Sequence, residues 1–238
     1  MTVDQKIQYV SGTLFAMLEN DLRTVLEARC ERHGIRGSGP NFAACLLSLL
    51  ACEVVGNLSS PRGASKAERI RGFLRAVGQS ADDDRYAEVA GPLFGFFRHG
   101  IAHTFLPLAT RGLIGSAVWV YECPEWLDSH DGAARCADLR RRDHLVVREY
   151  AGTTAFQVVP QILYIDVRRA MRQFAASLAT ASFDLALFSE NFDCWEAENQ
   201  SLTDRYITPD ERLALTVNRG GAPVERNSES ERADAEAE

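Results

Sequence analysis

The amino-acid sequence predicts a mainly α-helical protein with a small antiparallel β-sheet or hairpin inserted before the last long helix. Apolar residues recur at three- and four-residue spacing along most of the chain, the period of a helix with one buried face. Glycine and proline clusters cut that pattern into helix-sized pieces. Between residues 115 and 160 the period shortens to that of strands. The 238 residues suit one domain with a full core. The expected organisation is a single helical domain over 1–218 and an acidic, disordered tail over 219–238.

In chain order, Ile7, Val10, Leu14, Phe15, Leu18, Leu22, Val25 and Leu26 place a first helix over Val3–His33. Gly34, Gly37, Gly39 and Pro40 end it. Asn41 opens a second helix through Leu58, and its stretch Phe42–Val55 is apolar nearly all round, as a central core helix requires. Gly56, Pro61 and Gly63 mark a loop over 56–64. Ser65 with Glu68 three residues on forms a capping-box pattern for a third helix to Val77. Asp82-Asp83-Asp84 opens a fourth helical region. It restarts at Gly91-Pro92, where proline suits a first helical turn, and Pro107 stops it. Strands are expected at Gly115–Tyr121, His144–Tyr150 and Ala155–Val159, the last two joined by a turn containing Gly152. Residues 122–143 read as a charged connection, Gln161–Ser189 as a long helix, and 190–218 as a region of short helices.

Composition narrows the function. The N-terminus lacks the basic stretch and apolar core of a signal peptide, and no apolar run is read as approaching the ~20 residues of a membrane span, so a cytoplasmic location with no membrane contact is expected. Cys30, Cys45, Cys52, Cys123, Cys136 and Cys194 form no C-x-x-C pair and read as reduced, small apolar residues. The net charge is −7, of which the segment from Arg219 contributes −3 through six acids and three arginines. That excludes a uniformly basic nucleic-acid surface but leaves room for a local basic patch. There is no G-x-S-x-G, no P-loop and no dinucleotide fingerprint.

The segment with chemical potential is Arg98-His99-Gly100-Ile101-Ala102-His103. Histidine titrates near neutrality and can accept or deliver a proton. Arginine presents a fixed fork of donors that matches a phosphate and stays charged. Arg98 and His103 are separated by about 140° and about 7.5 Å of rise on a regular helix, so the long arginine must swing to share a cleft with the histidine. Gly100 leaves room for another backbone or a ligand.

These residues resemble the hallmark of the HEPN family, an arginine and a histidine separated by four to six residues, the first of which is polar. Arg98 matches the arginine, His99 the polar position and His103 the histidine at the shortest spacing. The resemblance implies a HEPN-like helical bundle with the motif on a late helix. It also implies a metal-independent endoribonuclease acting on single-stranded RNA as a homodimer, with two motif copies forming one site. The histidine would handle the proton of the attacking 2′-hydroxyl, and the arginine would hold the phosphate. Such proteins serve as toxins or in phage defence, so an antitoxin or regulatory protein is a further expected partner.

Other residues carry weaker expectations. His99 and His103 stand at metal-binding spacing, but no third ligand is evident, and no metal or cofactor is expected. Glu53 is the lone charge in a long apolar helix and needs a partner, for which Arg98 or His103 is the natural candidate; it would then tune the site from behind. Arg135, Arg140, Arg141, Arg142 and Arg148 form a local basic stretch, with Arg141 and Arg142 as candidate RNA-phosphate contacts or simply a solvated loop. Trp119, Trp126 and Trp195 suit packing or base stacking. The alternative function is a non-catalytic helical module for dimerisation or partner binding, in which Arg98 and His103 are structural.

Overall fold

The computed structural model describes residues 1–27, 41–104, 109–110, 112–117, 130–150, 152–208 and 211. It is mainly helical with one small sheet. Two compact units are distinguished, Met1–Asp193 and Cys194–Glu238. The first holds the sheet and every expected site residue. The second contains, among its described residues, the end of the last helix and a turn in which Glu211 accepts hydrogen bonds from the backbone and hydroxyl of Thr208.

The N-terminal helical stretch is not one regular helix. α1 (Val3–Gln8) and α2 (Phe15–Glu27) flank a π-helical segment, Tyr9–Leu14. Val10 is buried there, while Ser11 returns its hydroxyl to the Ile7 carbonyl. The expected extension to His33 lies outside the described residues.

α3 (Asn41–Ser59) is the central helix. It packs against α2, α4 (Lys66–Ala81) and α9 (Pro160–Ser177), which explains why it is apolar on nearly all sides. Its window Phe42–Ser59 is long and apolar enough to cross a membrane, which corrects the expectation that no run approaches that length; half of the window is buried inside the fold. Gly56 lies within α3 rather than in the expected loop. A Cβ there would sit 2.8 Å from the Arg69 carbonyl oxygen, so the glycine permits the close approach of α4.

α4 begins with the expected capping box: Ser65 Oγ accepts from the Glu68 amide, and Glu68 accepts from the Ser65 amide. It runs past Val77 to Ala81 and ends at Asp82 in left-handed geometry. The chain then folds back so tightly that a Cβ at Gly78 would lie 2.6 Å from the Asp83 carbonyl oxygen. Two short helices follow, α5 (Arg85–Glu88) and α6 (Ala90–Pro92), and then a second π-helical segment, Leu93–His99, before α7 (Gly100–Thr104). The regular helix expected from Pro92 is thus interrupted by a π-helical segment, and its expected end at Phe105 and Pro107 lies outside the described residues. Leu93, Phe94, Phe96, Phe97 and Ile101 are all buried. The π-helical segment inserts its aromatic rings into the core, with Phe96 and Phe97 both against Phe156.

The sheet has the order β1-β2-β4-β3, with β1 (Ala109–Thr110), β2 (Leu113–Ala117), β3 (Val146–Tyr150) and β4 (Thr153–Val158). β3 and β4 form the expected antiparallel hairpin, with Gly152 at φ 79° in its turn. The sheet as a whole is mixed, because β2 pairs in parallel with β4. A parallel pair needs a crossover of a dozen or more residues, and the connection that read as a charged loop supplies it in part as α8 (His130–Asp143). Cys136 and Leu139 are the buried anchors of α8, packed with Val159 and Ile162. Two inward positions in a charged helix give too faint a period to be read from sequence. Residues 118–129, including most of the expected first strand, Trp119 and Trp126, lie outside the described residues, as does the expected tail 219–238.

The expected helix Gln161–Ser189 is also divided. α9 stops at Ser177, and α10 (Leu185–Tyr206) begins after Asp184, whose carboxylate accepts from the Leu187 amide. Thr180 and Ser177 bond within the intervening turn, diverting backbone groups from the helix ladder. The β insertion therefore precedes α9, and α10 follows as a separate long helix. Cys45, Cys52 and Cys136 are buried free thiols and Cys194 is exposed.

Candidate functional site

Three elements meet at Glu53. The α3 helix carries the carboxylate, the second π-helical segment carries Arg98, and the first residue of α4 is Lys66. Arg98 Nε donates to Glu53 Oε2 at 3.0 Å, and Lys66 Nζ pairs with Glu53 Oε1. Glu53 and Arg98 are largely enclosed, with 13% and 18% of their side chains exposed. The lone acid of the apolar helix thus has the arginine partner that its burial demands, and a second cation as well. The lysine carries no signal in the sequence, because an exposed cation in the first turn of a helix is an ordinary surface residue.

His99 and His103 project from successive turns and are both exposed. Their rings are parallel within 8°, with centroids 6.1 Å apart. The His99 imidazole is held below its ordinary range, first by partial loss of hydration and then by the charges of Arg98, Lys66 and His103. Its neutral, proton-accepting form is therefore favoured at pH 7. Among the described residues, no group of three or more His, Cys, Asp or Glu side chains gathers in metal-ligand geometry. Beside His99 lies a cavity of about 250 Å³ between α4 and the π-helical segment, lined by Lys66, Ala67, Ile70, Arg71, Gly91 and Phe94, among others.

The arginines of the expected basic stretch are not part of this cluster. Arg141 and Arg142 stand exposed on α8 and both pair with Asp138 of the same helix. Arg148 pairs with Asp143. Arg140 turns inward and belongs to a second polar cluster, which sequence reasoning missed. There Val159 donates its amide hydrogen to His144 Nδ1 at 3.1 Å, which places the proton of the neutral ring on Nε2. His144 Nε2 then donates to the Tyr86 hydroxyl at 2.9 Å, and Tyr86 donates to Asp166 Oδ2 at 2.8 Å. Arg140 completes the chain on Asp166 Oδ1. Arg85 clamps the rim: it chelates Asp83 at 2.8 and 2.6 Å and donates to the carbonyl oxygens of His144 and Arg140. A cation on the last carbonyls of α8 suits a helix C-terminus.

Burial dominates the titration of this second cluster. It pushes the Asp166 carboxyl up to about 6 despite Arg140 and Tyr86, and it pushes His144 down to about 3 despite Asp83. Asp166 carries the same signal in the sequence as Glu53, a lone acid among apolar neighbours, here Ile162, Leu163 and Val167. That signal would have located it. His144, read as the start of a strand, carried none.

Comparison with family models, with curated proteins and with solved structures returned no match.

Proposed function

We propose that the chain is a metal-independent endoribonuclease that cleaves single-stranded RNA by 2′-hydroxyl attack, with Arg98 and His103 as the catalytic residues. The observation that carries the reading is the placement of two exposed, parallel histidines beside an arginine that Glu53 holds in position. In this reading the terminal nitrogens of Arg98 grip the scissile phosphate. His103 takes the 2′-hydroxyl proton or returns one to the leaving 5′-oxygen, and His99 holds the substrate. The 2′-oxygen–phosphorus bond forms as the phosphorus–5′-oxygen bond breaks, leaving a 2′,3′-cyclic phosphate and a 5′-hydroxyl. The substrate is RNA, the working unit a cytoplasmic homodimer in a HEPN-like fold, and an antitoxin or regulator its partner.

The test is cleavage of labelled single-stranded RNA in EDTA. Wild-type protein should leave 2′,3′-cyclic ends. His103→Ala and Arg98→Ala should each lose about 10²–10⁴-fold in rate, the usual scale of general acid–base and oxyanion contributions. Equal cleavage by all three proteins would refute the assignment.

One observation favours a second reading, a non-catalytic dimerisation or partner-binding module. Glu53 engages both Arg98 and Lys66, as a purely structural ion-pair group would. No cleavage of a varied RNA pool by folded dimer, with dimerisation lost in Glu53→Gln, would select it.

A further inference from the structure

The cavity beside His99 combines two surfaces that no single simple ligand satisfies. Its floor is apolar, with Ile70, Phe94 and Ala90 buried and Ala67 beside them. Its rim is polar, with the cations of Lys66 and Arg71 and the imidazole of His99 all exposed. Among the described residues no carboxylate lines it, although the chain carries a net charge of −7. Glu53 is engaged by Lys66 and Arg98, and Glu68 by the Ser65 cap. A bare anion would leave the floor uncovered, and an apolar molecule would leave the rim unused. At about 250 Å³ the space is below the roughly 300–1,000 Å³ of pockets that enclose a whole drug-sized ligand, and it suits one ring system of a larger ligand.

We infer that this cavity is a nucleotide subsite: it takes one base against Ile70 and Phe94, while Lys66, Arg71 and His99 hold the adjoining phosphate. The inference rests on the ribonuclease reading for its biological substrate, because the base would be the one next to the bond held by Arg98. The chemistry of recognition is independent of turnover. Base contact with an aromatic floor is tolerant of sequence, so the subsite positions the strand without selecting a base. Lys66 has a double role, since it holds both the ligand phosphate and the carboxylate that positions Arg98.

The decisive variant is Gly91→Leu. Gly91 lines the cavity, and a Cβ there meets nothing within 4 Å apart from its chain neighbours, so the space admits a larger side chain, with strain confined to the junction with Pro92. Ala67→Leu fills it from α4 and guards against a folding defect in the first variant. Binding of adenosine monophosphate, adenosine and inorganic phosphate would be measured by NMR titration of the full chain, with thermal melting as the fold control. The expected result is that the mononucleotide binds at least about tenfold tighter than either fragment and shifts Gly91, Phe94 and His99. Either filled variant, melting as wild type, should weaken the mononucleotide about tenfold and leave phosphate unchanged. Phosphate binding as tightly as the mononucleotide, or unaltered binding in both filled variants, would overturn the subsite. RNA cleavage that persists unchanged in both filled variants would sink the subsite and spare the ribonuclease. Mononucleotide binding lost in the filled variants of a protein that cleaves no RNA would do the reverse.

Discussion

Two clusters in this chain use the same residue types in opposite ways. Glu53, Arg98, His99 and His103 sit at the surface end of a π-helical segment, with both histidines exposed and one carboxylate shared by two cations. Asp166, Tyr86 and His144 sit inside, linked by hydrogen bonds in the chain His144–Tyr86–Asp166 that Arg140 closes, and Asp166 has no exposed surface. The inner cluster ties α8 and the hairpin to α5 and α9, and each link lost leaves a buried polar group unpaired. In the outer cluster the Glu53–Arg98 pair is largely enclosed, but both histidines face solvent, where a ligand can reach them. Exposure, more than residue type, separates a scaffold from a candidate site.

The sharpest break of that contrast is Asp166→Ala. It strands Arg140 beside a buried hydroxyl, and since Arg140 retains 18% exposure, a loss of about 3 kcal/mol is expected, the lower end for a broken buried pair. Urea unfolding measures it; a loss under 1 kcal/mol, far below the ~3 kcal/mol floor for such pairs, would remove the scaffold role. Tyr86→Phe should cost about 1–3 kcal/mol, because the His144 Nε2 hydrogen and one Asp166 oxygen both lose their partner.

The inner cluster also predicts an unusual pH profile. Free Asp titrates near 3.9 and free His near 6.5, as rough reference values. With Asp166 raised to about 6, the folded chain holds more protons there than the unfolded chain between roughly pH 4 and 6, so this group makes stability fall as pH rises. With His144 lowered to about 3, the unfolded chain holds more protons, so this group makes stability rise with pH up to roughly 6.5. The two slopes oppose each other and flatten the wild-type profile across that window. His144→Asn should unmask the Asp166 slope, with urea midpoints declining from pH 4 to pH 6. Parallel profiles for the two proteins would mean that His144 is not held neutral in the fold.

The outer cluster should respond weakly in stability. Glu53→Gln weakens two ion pairs that are partly open to water, and about 1 kcal/mol is expected. His103→Ala, an exposed side chain, should stay within about 0.5 kcal/mol of wild type. A loss at His103 as large as that at Tyr86 would erase the distinction between the clusters and favour the structural reading of the motif.

Much of this was legible along the chain. The capping box at Ser65, the apolar α3 and the hairpin around Gly152 follow from local chemistry: a cap, a pattern and a turn residue each act within a few positions. The need of Glu53 for a cation followed from the cost of burying a lone charge, and Arg98 fills that role. The π-helical segments, the parallel pairing of β2 with β4, and the inward turn of Arg140 out of an apparently solvated basic run did not. Each depends on what approaches from a distant part of the chain: Phe156 beneath Phe96 and Phe97, α8 as the crossover, and Asp166 in the middle of α9. Sequence by itself determined the helical class, the placement of most elements and the residues with chemical potential, because period, capping and charge burial are local quantities. Tertiary structure alone decided which histidines face water and which are locked in the core, because burial is a property of the whole packed chain.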